Sequence, residues 1–336
     1  MAFTPKENFL AVLNHQKGEW IPSSLTDSIM VGFGMGANLA FEKGPIGGGY
    51  DGFGVRWVTP ASGGGAPIPA PNEFILDSDT IVDWKKIVKF PDVSNYDWET
   101  AAKEQLSKGN PDLQIVDFGS GNGPFERLAA LMGFEEALIA LVEEPEATYE
   151  LLDAIVDYKI QTMEKAQKYF KADTFTNYDD IATERNPFMS PSVYREIIKP
   201  IHTKLYDAVK SYDMIPIQHT CGKAEELVED FIDTGIAAWT SVQPTNDIAD
   251  ILKKYGDKLT IMGGYDTNGY PGREDAPPEV IRAEVRRAMD AYGKYPGYVF
   301  FGFLLVSSDD QQKRFELMRP LIEESVSYAR LLAEKN

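Results

Sequence analysis

The chain predicts an α/β protein: a single (β/α)8 TIM-type barrel with an N-terminal extension and insertion, one domain over residues 1–336. Three observations carry this. From about residue 110 onward, short β-like runs alternate with long amphipathic helices, and such alternation demands a parallel sheet because parallel strands need a crossover between them. The Gly119-Ser120-Gly121-Asn122-Gly123 run misses the G-x-G-x-x-G spacing of an open, nucleotide-binding sheet. With 336 residues, 43% of them hydrophobic, the chain can bury one large core.

The elements follow in order. Residues 6–15 predict a helix, 20–27 the first strand, and the remainder up to 110 an insertion. Within it, 43–72 carries two triple-glycine runs among prolines, and reads either as a loop near a mouth or as plain surface. Residues 114–118 predict a strand, 135–142 and 145–170 helices, and 174–178 a strand ending in Asp179-Asp180. Ser190-Pro191 is an N-cap followed by a proline at the first helical position. The helix it opens has an apolar face of Tyr194, Ile198, Ile201, Leu205 and Val209, and Pro200 should kink it. Strands are predicted at 215–219, 237–242, 259–262 and 299–303, with helices at 224–234, 247–255, 277–292 and 310–335.

Composition excludes several functions. A net charge of −19 repels phosphate backbones and anionic membranes. No apolar run reaches the roughly 20 residues needed to cross a bilayer, and the first residues lack a signal-peptide pattern. Cys221 is the single cysteine, which rules out an internal disulfide and a four-cysteine zinc site and suits a reducing cytoplasm. No Gly-x-Ser-x-Gly elbow, P-loop or His-Glu-x-x-His is present.

In a parallel barrel, function gathers where strands end. Those positions hold Asp27, Asp117, Asn177, Tyr178, Asp179, Asp180, Gln218, His219, Cys221, Gln243, Tyr265, Asp266 and 307–310. The set is rich in carboxylates and nearly empty of cations, so a polyanionic substrate has little to hold it. His219 and Cys221 form a His-x-Cys pair, which reads as two zinc ligands or as a hydrogen-bonded histidine beside a buried thiol. Asp179-Asp180 reads as metal ligands, a general acid or hydroxyl acceptors, and equally as a turn and helix-cap pair. Tyr178 and Tyr265 are candidate proton donors or packing residues. His15 and His202 are expected on helix surfaces or ends, without a role.

Taken in order, Tyr178-Asp179-Asp180, the stretch from Phe188 to Pro200, His219-Thr220-Cys221-Gly222 and Met262-Gly263-Gly264-Tyr265-Asp266 resemble the uroporphyrinogen decarboxylase superfamily. The stretch from Asn14 to Pro22 resembles its opening, and that from Tyr50 to Trp57 its first insertion. The decarboxylases proper carry N-terminal arginines that hold propionates; here no arginine precedes Arg56. The resemblance therefore points to the branch of corrinoid-dependent methyltransferases, whose His-x-Cys zinc motif matches His219 and Cys221. That branch's third ligand, a cysteine near the last strand, is missing, so either zinc takes other ligands, with Asp179 or Asp266 to hand, or there is none.

The resemblance implies an enzyme that moves a methyl group from a small methylated donor, an aryl methyl ether, to the Co(I) corrinoid (cobalamin) of a partner protein, as an O-demethylase component. Catalytic candidates are Asp179, Tyr178, Tyr265 and His219. Asn177, Asp180, Gln243 and Asp266 are cofactor-binding candidates, and His219 with Cys221 the metal pair. Alternatives are a methylcorrinoid protein:tetrahydrofolate methyltransferase, a decarboxylase-like lyase, or a non-catalytic corrinoid-binding module. The implied partners are the small substrate and the corrinoid protein, with a homodimer as the candidate assembly. Neither nucleic acid nor membrane is expected.

Overall fold

The computed structural model describes residues 3–32, 42, 44, 47–59, 67–306 and 310–335. Seven strands form one parallel sheet in chain order: β1 (Ser28–Gly32), β2 (Ile115–Ser120), β3 (Thr174–Tyr178), β4 (Ile215–His219), β5 (Ala238–Val242), β6 (Thr260–Gly264) and β7 (Tyr298–Phe301). Because each strand's neighbour is its successor, the sheet curls rather than reversing direction at a switch point. The curl brings the segment before β1 against β7. There the Phe300 N–H donates to the Pro22 carbonyl at 2.8 Å and the Ser24 N–H to the Phe300 carbonyl at 3.1 Å. Among the described residues this is a curled half-barrel of seven strands, not the eight of a complete (β/α)8 count.

Two apolar layers follow from strand alternation. Residues facing out, such as Phe175 and Trp239, pack under the helices; Trp239 meets Phe231 of the helix Val228–Thr234 edge-on at 5.4 Å. Residues facing in, such as Ile115, Ile217, Met262 and Val299, pack on Phe9, Val12 and Leu13. The helix Pro5–Leu13 thereby stoppers the inside of the sheet. A capping box starts it: Thr4 Oγ1 accepts the Glu7 N–H at 3.2 Å, and Glu7 Oε2 accepts the Thr4 N–H at 2.8 Å.

The structure corrects some expectations. The first strand begins at Ser28, past the 20–27 segment, because Asp27 folds that segment into a turn. Asp27 accepts the Ser23 N–H at 3.1 Å and the Thr26 hydroxyl at 2.9 Å. Helices Trp98–Leu106 and Pro124–Met132 were not anticipated. Ser190 caps as expected, accepting the Val193 N–H, and Pro200 acts as a helix interrupter: a π-turn over Tyr194–Ile198 precedes the helix Lys199–Ser211. His202, expected at the surface, is fully buried. It lies four residues after Ile198 and three before Leu205, on the same inward face.

Part of the 43–72 stretch, including its second triple glycine, lies outside the described residues. The described part holds a small antiparallel sheet of Gly49–Tyr50, Arg56–Val58 and Ile68–Pro69. Asp51 organises it: its carboxylate accepts the Phe53 and Val55 N–H groups and the Trp57 indole, and pairs with Arg127 at 2.6 Å, the pair being buried. Arg127 also donates to the Glu42 carbonyl, while Lys159 pairs with the Glu42 carboxylate at 3.1 Å. The insertion is thus clamped to the helices Pro124–Met132 and Pro145–Lys165.

Candidate functional site

The ends of β3 and β4 run in register, Tyr178 opposite His219, both side chains on the inward face. Their rings lie 4.3 Å apart, tilted by 30°. After His219 the chain turns at Thr220-Cys221-Gly222. Gly222 has φ +85°, and a Cβ there would strike the Thr183 carbonyl, so the turn needs glycine. The turn is held from three sides. The Cys221 N–H donates to Asp180 Oδ1 at 2.7 Å, the Gly222 N–H to Gln243 Oε1 at 3.2 Å, and the Trp239 indole to the Thr220 carbonyl at 3.0 Å.

Cys221 Sγ therefore lies 3.6 Å from His219 Nε2 and 3.3 Å from Ser241 Oγ. Ser241 sits in a bulge of β5 at φ +67°, a costly conformation that re-aims its hydroxyl toward the thiol. One ligand atom each from Asp180, His219 and Cys221 fall within 4.8 Å of one another. An imidazole, a thiol and a carboxylate form a donor set that suits zinc with a position left open, so the residues fit the ion. Burial lowers the His219 pKa against the opposing pull of Asp180, and pushes the Cys221 thiol up to about 12. A divalent cation reverses such a trend by deprotonating the thiol it binds.

The carboxylate that meets His219 and Cys221 is thus that of Asp180, a residue read from sequence both as a metal-ligand candidate and for cofactor binding, and not that of Asp179 or Asp266. Asp179 points away from the trio and is fully buried. Its carboxylate accepts the Phe125 N–H at 3.2 Å and the Glu126 N–H at 2.8 Å, and meets His202 Nε2 at 2.8 Å. It caps the helix Pro124–Met132 from another strand, across Gly123, where a Cβ would collide with it. His202 is held in turn by the Tyr194 hydroxyl at 3.3 Å.

Other candidates are committed to structure. Asn177 faces out and donates to Gln218 Oε1 at 3.0 Å, an oxygen that also takes the Tyr206 hydroxyl. The Tyr265 hydroxyl donates to the Pro271 carbonyl at 2.8 Å, and burial raises its pKa. Asp266 accepts the Gly269 N–H at 3.0 Å. Residues 307–309 lie outside the described residues, and Asp310 accepts from Gln312 and Lys313 at the start of the last helix. Asp117, named from sequence among the strand ends but given no role, stands inside the sheet opposite Thr174. Its alternation with Ile115 on the inward face was the available signal.

A family model described as Uroporphyrinogen decarboxylase (URO-D) matches residues 77–301. The chain belongs to the uroporphyrinogen decarboxylase family. Among curated relatives of this family member, the methylcobamide:CoM methyltransferase MtaA of Methanosarcina barkeri is 23% identical over 192 residues, 56% of this chain and 53% of that one. The uroporphyrinogen decarboxylase of Shewanella denitrificans is 28% identical over 170 residues, 50% of this chain and 45% of that one. The chain spans about half the length of the curated relatives it matches. A solved methyltransferase from Methanosarcina mazei shares the fold, with a TM-score of 0.70 over 97% of this chain and 99% of that one at 14% identity. In this family member Arg56, the first arginine, is paired with Glu73 at the exposed surface, and Arg127 is buried against Asp51. No helix among the described residues is long and apolar enough to cross a membrane.

Proposed function

We propose that this protein is a corrinoid-dependent methyltransferase, transferring a methyl group from an aryl methyl ether to the Co(I) corrinoid of a partner protein. The observation that carries the reading is the Asp180, His219 and Cys221 trio at the strand ends, one ring away from a largely apolar cavity of about 380 Å³ with no arginine in its wall. A decarboxylase site would need several cations for propionates, and Lys108 is the one cation among the described lining residues, whereas an aryl ether needs an apolar wall and help for the departing oxygen. The MtaA relative, by its name a methylcobamide enzyme, adds support for corrinoid chemistry. In this reading the frame is a barrel of (β/α)8 type, its first strand divided between the segment at Pro22–Ser24 and β1.

Asp180, His219 and Cys221 would hold zinc, and the bound ion supplies a Lewis acid for the leaving oxygen. The chain's own residues do the positioning. The Tyr178 ring fixes the plane of His219, and the Cys221 N–H fixes the Asp180 carboxylate. Asp179 anchors the strand end beside Asp180 without reaching the donor. The cavity excludes water and aligns the ether, which raises the effective concentration of the methyl carbon at the mouth. The tetrahydrofolate alternative loses Asn177 as a pterin contact, since its amide is turned out to Gln218.

Metal analysis comes first: about one zinc per chain is expected in the native protein and none in His219→Ala. Transfer from 2-methoxyphenol to Co(I) on a corrinoid protein follows. Absence of transfer from every aryl ether, with demethylation of methylcobalamin by a thiol or tetrahydrofolate instead, would turn the enzyme to the acceptor side.

A further inference from the structure

Asp117 lies on β2 with its side chain inside the curl. The hydroxyls of Thr174 at 2.7 Å and Thr176 at 2.8 Å both donate to Oδ1. Among the described residues no hydrogen bond reaches Oδ2. The residue is half-buried, and it lines the cavity of about 380 Å³. Its other walls are mainly apolar, with Met30, Ile217, Met262 and Phe301 among them, and Tyr178 on the side toward His219. That volume falls at the small end of ligand sites and suits one substituted ring. A carboxylate in such surroundings is costly unless partnered, and both neighbouring donors converge on one oxygen.

We propose that this cavity is the methyl donor's subsite, and that Asp117 Oδ2 accepts a hydrogen bond from a hydroxyl on the donor's otherwise apolar ring. The identity of the ligand rests on the methyltransferase reading above; the subsite itself does not need methyl transfer to be seen. A neutral hydroxyl is preferred to an ammonium group. Its O–H supplies the donor that Oδ2 is without among the described residues once the two threonines have converged on Oδ1. The wall also offers aliphatic and thioether groups, where a quaternary cation would want a cage of aromatic faces.

Calorimetric titration with 2-methoxyphenol and with methoxybenzene, on the native protein and on Asp117→Leu and Asp117→Asn, tests this without corrinoid. The native protein should bind 2-methoxyphenol at least about tenfold more tightly than methoxybenzene, the worth of one hydrogen bond to a charged group. Asp117→Leu should erase that preference while leaving methoxybenzene within about twofold, and Asp117→Asn, which retains the threonine contacts, should lose at least about fivefold for 2-methoxyphenol. Equal binding of the two probes, no binding of 2-methoxyphenol, or unchanged affinity in the folded variants overturns the proposal. Should Asp117→Leu not fold, the Asn variant decides by the same criterion. Binding that behaves as expected without any methyl transfer would leave the subsite standing and remove the functional reading instead.

Discussion

Gly222 and Asp117 show what single residues contribute here. At Gly222 a side chain meets both an unfavourable φ of +85° and the Thr183 carbonyl. Gly222→Ala should therefore cost at least about 1–2 kcal/mol and displace Cys221, so thermal melting and zinc content should fall together. Retained metal at full stability would mean the turn relaxes freely. Asp117 makes a pH prediction. Burial raises its carboxyl above the ordinary value of about 3.9, so the folded chain holds that proton more tightly than the unfolded one. Its contribution is complete below the unfolded value and is lost as pH rises through the raised one. Tyr178 and Lys108 are the other titratable groups lining its cavity. The melting temperature of Asp117→Asn relative to wild type should thus climb from about pH 4 toward neutrality, then level off; a difference independent of pH would contradict the assignment. At this scale the His-x-Cys pair was legible, because ligand type and spacing are local. The choice of Asp180 over Asp179 was not, since adjacent residues of a chain leaving a strand face opposite ways.

Helix Pro124–Met132 illustrates the scale of elements. Its N-terminus follows Gly123, which has no side chain to cap it, and the cap arrives from β3 as the Asp179 carboxylate. Asp179→Ala removes that cap and strands the buried His202 ring, at a combined cost of about 2–4 kcal/mol. Denaturant titration should register this loss while the folded fraction keeps the zinc content proposed for the native protein. Loss of zinc with stability intact would instead give Asp179 a place at the metal. The helices after Ser190 and before β7 were readable from caps and periodicity, which are properties of neighbouring residues. The first strand was misplaced because Trp20-Ile21-Pro22 has strand composition, yet the Asp27 turn separates it from the pairing with β2.

For the molecule as a whole, the buried Arg127–Asp51 pair joins the insertion to the half-barrel, with the guanidinium 4.0 Å above the Phe53 ring. Removing one partner of a buried pair leaves an uncompensated charge, so Arg127→Met should lower stability by about 3–5 kcal/mol. Adding Asp51→Asn should recover part of it, since the orphaned charge is then gone. Urea unfolding of the single and double variants measures this; equal midpoints would leave the pair without structural weight. The acidic surface, at −19, makes attraction to phosphate backbones unfavourable at this same scale.

By itself the sequence determined the alternation of strands and helices, the parallel sheet, the strand ends that hold His219 and Cys221, and the family resemblance. Each depends on residue periodicity or short spacing, which the chain carries along its length. Only the tertiary structure decided that Asp180 completes the trio, that Asp179 and His202 brace a distant helix, that Asn177 faces outward, and that Asp117 opens onto the cavity. Those facts depend on which side chains meet across strands far apart in the chain. Strand stagger, a bulge at Ser241 and close approaches at Gly123 and Gly222 decide them, and none has a local signature.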